Sequence, residues 1–282
     1  MTHALVVDNR PTSTTTGQSV SVPVTVVECP PLKVFSVKFY KNSQNAPSVL
    51  SEVPAQNTDR ELKRKLKIPK SVKKKIDDIN PEQVSDVRLL VHTQPKLAGV
   101  GKKKPEVFEL ALGGSVKEKF ESAKALLGKE ISVDSVLRPG DQVDIHAVTK
   151  GKGFQGAVKR FGISLKARKS EKGRRAPGSL GPWCGQGHIM WKVAHAGNMG
   201  FHQRTEQNKL VLSIGTKPEE INPKGGFKRY GLVRQTYVLL KGSVIGPAKR
   251  LIRFNPAMRP GRRIPSEPVN IEYVSIESHQ GV

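Results

Sequence analysis

From Gly151 to Arg204 the chain carries eleven Lys and Arg residues against one acid, Glu171, with frequent glycines and no sustained hydrophobic period. This stretch limits what the chain can fold into more than any other. A segment of this composition has no apolar face to bury and cannot fold alone. A connection this long without secondary structure is either functional or disordered. Both tryptophans, Trp183 and Trp191, lie in it, within GPWCGQGHIMWKVAHAG (Gly181 to Gly197), just after the basic run KARKSEKGRR (Lys166 to Arg175). A core keeps indoles away from glycine and dense positive charge, so this placement points to something outside the protein.

The whole chain has the same bias. Its 48 Lys and Arg exceed its 24 Asp and Glu, for a formal charge of +24. A compact protein so charged repels itself unless a polyanion neutralises it. Hydrophobic residues make up 36%, below the roughly 45–50% of globular domains, so part of the 282 residues is expected to lie outside any core. No run of about 18 apolar residues suggests a membrane span, and MTHALVVDNRP lacks the features of a signal peptide. Two cysteines, Cys29 and Cys184, are too few for a disulfide framework and fit a reducing, cytosolic compartment. No strongly amphipathic basic helix argues for a membrane surface. Nucleic acid is the expected partner.

The rest reads as mainly β. HALVVDN and VSVPVTVVECPPLKVFSVKFYK (Val20 to Lys41) are Val- and Phe-rich strand candidates broken by Pro and Gly. NTDRELKRKLKIP and SVKKKIDDINP read as short helices ended by Pro69 and Pro81. VRLLVHT and EVFELAL read as strands. SVKEKFESAKALLGK is the best helix: Ser115 and Glu118 have capping-box spacing, Gly128 offers the stop, and Val116, Phe120, Ala123 and Leu127 share a face. Residues 42–132 thus form an expected α+β insertion. Strands return with ISVDSVLRPGDQVDIHAVTKG, turning at RPGD (Arg138 to Asp141), and again in KLVLSIG, YGLVRQTYVLLKGSVIG, KRLIRF and VNIEYVSIE. The expected architecture is a β-barrel from 1–41, 133–150 and 205–282, an α+β insertion at 42–132, and an irregular basic extension at 151–204.

GKGFQG, Gly151 to Gly156, fits G-x-G-x-x-G. A dinucleotide site also wants an acid at the end of a second strand about 20 residues on; Glu171, inside RKSEKGRR, is not one. A kinase would need V-A-I-K, H-R-D and D-F-G, none of which is present. Glycines still let backbone N–H groups approach phosphate, and Lys150, Lys152, Lys159 and Arg160 surround Gly153 and Gly156. The phosphate of a nucleic-acid strand is the first reading, a plain flexible turn the second. Cys184, His188, His195 and His202 could make a tetrahedral zinc site, but spacings of four, seven and seven match no common module; histidines in RNA-facing loops commonly hydrogen-bond or stack instead. No cofactor is expected. G-x-S-x-G, H-E-x-x-H and a P-loop are absent, and acids are scarce where glycines and histidines gather. An enzyme is not expected.

The stretch LRPGDQVDIHAVTKGKGFQGAVKR (Leu137 to Arg160) resembles the signature of the universal large-subunit ribosomal protein L-three family, through Leu137, Asp144, Ala147, Thr149, Gly151, Lys152, Gly153, Gly156 and Arg160. Downstream, GPWCGQGHIMWKVAHAGNMGFHQRTEQNK resembles that family's central extension, whose tip tryptophan falls on Trp183, although Cys184, Gly185 and Gln186 depart from the pattern. The strand blocks correspond too, and the 42–132 insertion is similar to the archaeal and eukaryotic form. Family members carry a basic arm before the residues matching Met1-Thr2-His3, where this chain starts. The resemblance implies a six-stranded barrel of the translation-protein type seated on the large subunit. It also implies extensions threaded into large-subunit rRNA beside neighbouring ribosomal proteins, a tryptophan finger near the peptidyl-transferase region, and an early role in assembly.

The RNA-binding expectation rests on Lys150, Lys152, Gly153, Gly156, Lys159 and Arg160 around the glycine loop, and on Lys166, Arg168, Lys169, Lys172, Arg174 and Arg175 in the basic run. It adds Trp183, His188, Lys192, His202 and Arg204 in the finger and its return, and a third cluster of Lys249, Arg250, Arg253, Arg259, Arg262 and Arg263. Cations bind the backbone and release counterions, and Trp183 offers a face for an unstacked base. Trp191, with Ile189, Met190 and Val193, is expected to anchor the finger's base against the protein's own loop. The rival readings are a free RNA-binding translation or assembly factor, and an RNA-modifying enzyme.

Overall fold

The structure, a computed structural model, describes residues 1–43, 46–69, 72, 74–169, 173–182, 187 and 189–278. By internal contacts the chain forms two units. The first joins Met1–Gln142, Lys209–Ser243 and Pro260–Val282; the second joins Val143–Asn208 and Val244–Arg259. Strand dominates, as expected.

The first strands are β1 (Thr2–Val7), β2 (Ser19–Glu28), β3 (Leu32–Asn42), β4 (Pro47–Pro54), β5 (Asp86–His92) and β6 (Val107–Ala111). Helix α1 (Val116–Leu126) and β7 (Glu130–Ile131) follow. Next come β8 (Gln142–Val148), β9 (Phe154–Gln155), a short helix α2 (Ala157–Phe161) and β10 (Gly197–Asn198). The last strands are β11 (Gln203–Gly215), β12 (Tyr237–Lys241), β13 (Ile252–Pro256) and β14 (Ile271–Val274). Strand β11 passes from the second unit into the first at Asn208/Lys209.

Two antiparallel sheets make the first unit. In one, β14, β1, β2, β12 and the second half of β11 are neighbours in that order. Alternation places Ala4 and Val6 of β1, Val22 and Val24 of β2, Leu210 and Leu212 of β11, and Tyr237 and Leu239 of β12 in one buried cluster, closed by Ile221, Phe227 and Val233. The other sheet has the order β4-β3-β5-β6, with β7 on β3. Strict alternation would put Val34 and Val37 of β3 on opposite faces. A register shift between Val34 and Ser36 brings both into one cluster with Phe39, Val53, Val87, Leu89 and Val91. Helix α1 covers this cluster. Ala123 is fully buried in it, Val116, Phe120 and Leu127 pack beside it, and the Phe120 and Phe39 rings lie 5.5 Å apart. The expected capping box is present: Glu118 N donates to Ser115 Oγ at 3.5 Å, and Ser115 N to Glu118 Oε2 at 3.0 Å.

Three local expectations change. The helices expected in NTDRELKRKLKIP and SVKKKIDDINP are, among the described residues, short 3-10 segments, Arg60–Arg64 and Ile76–Asp78, with Ser71 and Lys73 of the second lying outside the described residues. Each buries one residue, Leu62 or Ile76, too little to offset the cost of nucleating a longer helix. The last strand of the first block, β3, hydrogen-bonds in the sheet with β4, β5 and β7. No closed barrel forms among the described residues: within the first unit the strand order is β14-β1-β2-β12-β11, and within the second it is β13-β8-β11. The outer strands β13 and β14 are only five and four residues long. Pro256 closes β13, and a proline cannot donate to a further ladder.

Candidate nucleic-acid interface

The second unit holds the glycine loop, the basic run and most of the third basic cluster. Its frame is a ladder between 149–155 and 197–202. Thr149 N donates to His202 O at 2.9 Å, and His202 N to Thr149 Oγ1 at 3.2 Å. Lys152 N donates to Met199 O at 2.8 Å and Met199 N to Gly153 O at 2.9 Å, and β9 then pairs with β10. Gly200 has φ +74°, and a Cβ there would stand 2.1 Å from Lys150 O, so only glycine lets the strands approach this closely. Gly153 turns with φ +68°, and Gly156 is the N-cap of α2. The two ends of the extension are therefore folded. Between Gly162 and Ala196 the described residues carry neither helix nor strand.

Asp144 ties the two chain segments of this unit together. It is 3% exposed, and its carboxylate accepts from Asn208 N at 2.9 Å and Met258 N at 3.1 Å. Asn208 has φ +56°, a left-handed conformation that, glycine aside, Asn and Asp adopt more readily than other residues. The carboxylate on its amide helps to hold it there.

The unit contains sixteen Lys and Arg against three acids, Asp144, Glu171 and Glu206, so it holds a net +13 of the chain's +24. Lys150, Lys152, Lys159, Arg168, Lys169, Arg174, Arg175, Lys192, Arg204, Lys249, Arg253 and Arg259 are exposed. Among the described residues, Lys150, Lys152, Lys159, Lys192, Lys249 and Arg259 have no acid within ion-pair distance; the pairs Lys33–Asp59, Lys38–Glu109 and Lys119–Asp86, at 2.7–2.9 Å, belong to the first unit. An exposed cation without an internal partner keeps its charge for an external one.

Several expected contacts are placed differently. Arg160 is half-buried; its guanidinium donates to His195 O at 2.9 Å and lies 4.9 Å from the Phe161 ring centroid, so it serves the protein's own loop. Lys166 is half-buried, its carbonyl accepting from Arg174 Nε at 3.2 Å. Arg250 is also half-buried, over the Phe201 ring. Arg262 and Arg263 are exposed but belong to the first unit. His202 is exposed and enters the ladder through its backbone. Lys172, Trp183 and His188 lie outside the described residues, as does Cys184 of the expected metal set. Among the described residues no three His, Cys, Asp or Glu side chains could hold a metal ion.

Trp191 overturns an expectation. It is 91% exposed, and Ile189 is 50% exposed. Met190 takes the anchoring place instead: its N–H donates to Leu180 O at 3.2 Å, and a Cβ on Gly181 would stand 2.8 Å from its Cγ. The turn that seats Met190, closed by Val193 N donating to Met190 O at 3.1 Å, leaves the neighbouring indole outside. Phe154, Phe161 and Phe201 are also more than half exposed. Sequence reasoning passed over them. The available signal was an aromatic after a glycine within a cationic stretch, as in Gly153-Phe154 and Gly200-Phe201.

A reactive thiol is not on offer at Cys29, in the first unit. Burial, with Glu28 and Asp134 adding to it, pushes its thiol up to about 12, away from the thiolate range needed for nucleophilic chemistry. No helix among the described residues is long and apolar enough to cross a membrane.

These features fit what comparison with known proteins finds. A family model described as Ribosomal protein L3 matches residues 1–281. The chain is 49% identical over 294 residues to the large ribosomal subunit protein uL3 of Methanothermobacter thermautotrophicus, covering 100% of this chain and 86% of that one. It is 48% identical over 287 residues to the protein of the same name from Archaeoglobus fulgidus, covering 100% and 86%. For that of Methanocaldococcus jannaschii the identity is 46% over 288 residues, covering 100% and 85%. With a match from end to end and close to half of its residues identical to each of these relatives, the chain belongs to the ribosomal protein L3 family.

Proposed function

We propose that this chain is a structural, non-catalytic component of the large ribosomal subunit. It binds large-subunit rRNA through the cationic unit at Val143–Asn208 and Val244–Arg259, beside neighbouring ribosomal proteins. The observation that carries the reading is charge without internal partners: sixteen Lys and Arg against three acids, with Lys150, Lys152, Lys159, Lys192, Lys249 and Arg259 exposed and unpaired among the described residues. Membership in a ribosomal protein family and relatives named as large-subunit proteins support it. Lys and Arg on phosphate release condensed counterions, which drives binding without sequence preference. Glycines at 151, 153, 156 and 200 keep the backbone narrow enough to enter gaps between RNA segments. On this reading residues 151–204 act as one RNA-binding extension. Its tip, Trp183, is directed to the peptidyl-transferase region, and the extension supports subunit assembly.

Salt dependence tests the reading. If about eight of these cations reach phosphate, log affinity for transcribed large-subunit rRNA falls against log salt with a slope of roughly −6 to −7. A flat response in a filter-binding titration refutes it.

A further inference from the structure

We propose that Phe201 is the platform of a stacking site for an unpaired RNA base. The inference rests on the RNA-binding reading above and adds a residue and a ligand chemistry to it. Phe201 has φ +58°, in the left-handed region that bulky side chains avoid. Strain of this kind persists only where the surroundings over-determine it, and it concentrates at functional sites. Here the surroundings are explicit. Gly200, with φ +74° and no room for a Cβ against Lys150 O, and His202, locked to Thr149 by two hydrogen bonds, fix the backbone on either side.

That fixed backbone yields little burial in return, since Phe201 remains 68% exposed. Its ring is nevertheless held. The Arg250 guanidinium carbon lies 5.6 Å from the ring centroid, and a Cβ on Gly151 would meet the Phe201 Cβ at 3.6 Å. A cation over one face of an exposed ring orients it and leaves its remaining surface to solvent. Phe201 lines an open hollow together with Gly151, Gly153, Asn198, Met199, Gly200 and His202, and the three glycines among these offer no side chain to obstruct a planar ligand. Lys150 and Lys152 flank Gly151 in the chain and Lys249 precedes Arg250; all three are exposed and without acid partners among the described residues. A ring presented in this way among free cations suits a nucleotide, with its base on the aromatic face and its phosphate on lysine.

The test uses the full chain and two probes, single-stranded oligouridylate and inorganic polyphosphate, which has charge but no bases. Phe201→Ala should weaken oligouridylate binding about 5- to 150-fold, from the roughly 1–3 kcal/mol of base–aromatic stacking. Polyphosphate affinity and the salt slope should not change, and Phe201→Tyr should restore binding. Phe201→Gly accepts the same φ without penalty; it should unfold no earlier than the parent and yet bind oligouridylate as poorly as the alanine variant. Undiminished oligouridylate binding by the Ala and Gly variants overturns the proposal while leaving the phosphate reading intact. Equal loss on both probes, or early unfolding of the Gly variant, overturns it in favour of a packing role. If the parent chain binds neither polyanion with salt dependence, the RNA-binding reading falls and the stacking site falls with it.

Discussion

Asp144 accepts two backbone N–H groups from distant segments, Asn208 at 2.9 Å and Met258 at 3.1 Å, while 3% exposed. A buried acceptor of this kind acts as a clasp, because its removal leaves two donors without partners. Asp144→Ala should therefore lower the unfolding free energy by about 1.5–3 kcal/mol, read by equilibrium denaturation. Asp144→Asn keeps one acceptor oxygen and should cost less. A loss below about 0.5 kcal/mol for the alanine variant, the level of an ordinary surface change, would remove Asp144 from this role. The residues around the glycine loop thus divide in two. Asp144, Thr149, Arg160 and Gly200 hold the frame, whereas Lys150, Lys152 and Lys159 are presented outward.

Among the elements, α1 shows how local chemistry and tertiary packing agree. Its capping box closes two of the orphan donors at the N-terminus, Gly128 turns out with φ +80°, and Gly128 N donates to Val34 O at 3.1 Å, fastening the helix end to the sheet it covers. Ser115→Ala should cost about 1 kcal/mol, within the 0.5–2 kcal/mol range for lost caps, as a lower midpoint in thermal unfolding; an unchanged midpoint would mean that packing of Phe120 and Ala123 alone holds the helix. The 3-10 turns at Arg60–Arg64 and Ile76–Asp78 show the opposite case. Their sequences have helix-like charge and end signals, but a single buried residue each, and most helical stability in proteins comes from a packed face.

Across the whole molecule, charge is unevenly shared. The second unit holds just over half of the net charge in less than a third of the residues. Self-repulsion within it works against a compact arrangement unless a polyanion neutralises the charge. Between Gly162 and Ala196 the described backbone has no ladder or helix to protect it, and such segments are where proteases cut first. Brief trypsin treatment of the free protein should cleave first between Lys166 and Lys192, located by mass spectrometry, and bound large-subunit rRNA should slow that cleavage. First cuts within β3 or β5 would contradict this ordering of stability.

The cationic bias of the 151–204 stretch, the strand-rich character, the α1 cap and the RPGD turn were legible in the residues themselves, because charge, period-2 alternation and capping spacing act between neighbours in the chain. So was the family, through a long run of residues from Leu137 to Arg160. Other features were decided only by contacts between segments far apart in sequence: the bulge that brings Val34 and Val37 to one face, the open strand path, Arg160 on His195, and the seating of Met190 rather than Trp191. Phe201 belongs with them. Its exposure and left-handed backbone come from Gly200 meeting Lys150 and from Thr149 holding His202, across some fifty intervening residues; the glycine before an aromatic marks the place in the sequence, but the closure that fixes it is tertiary.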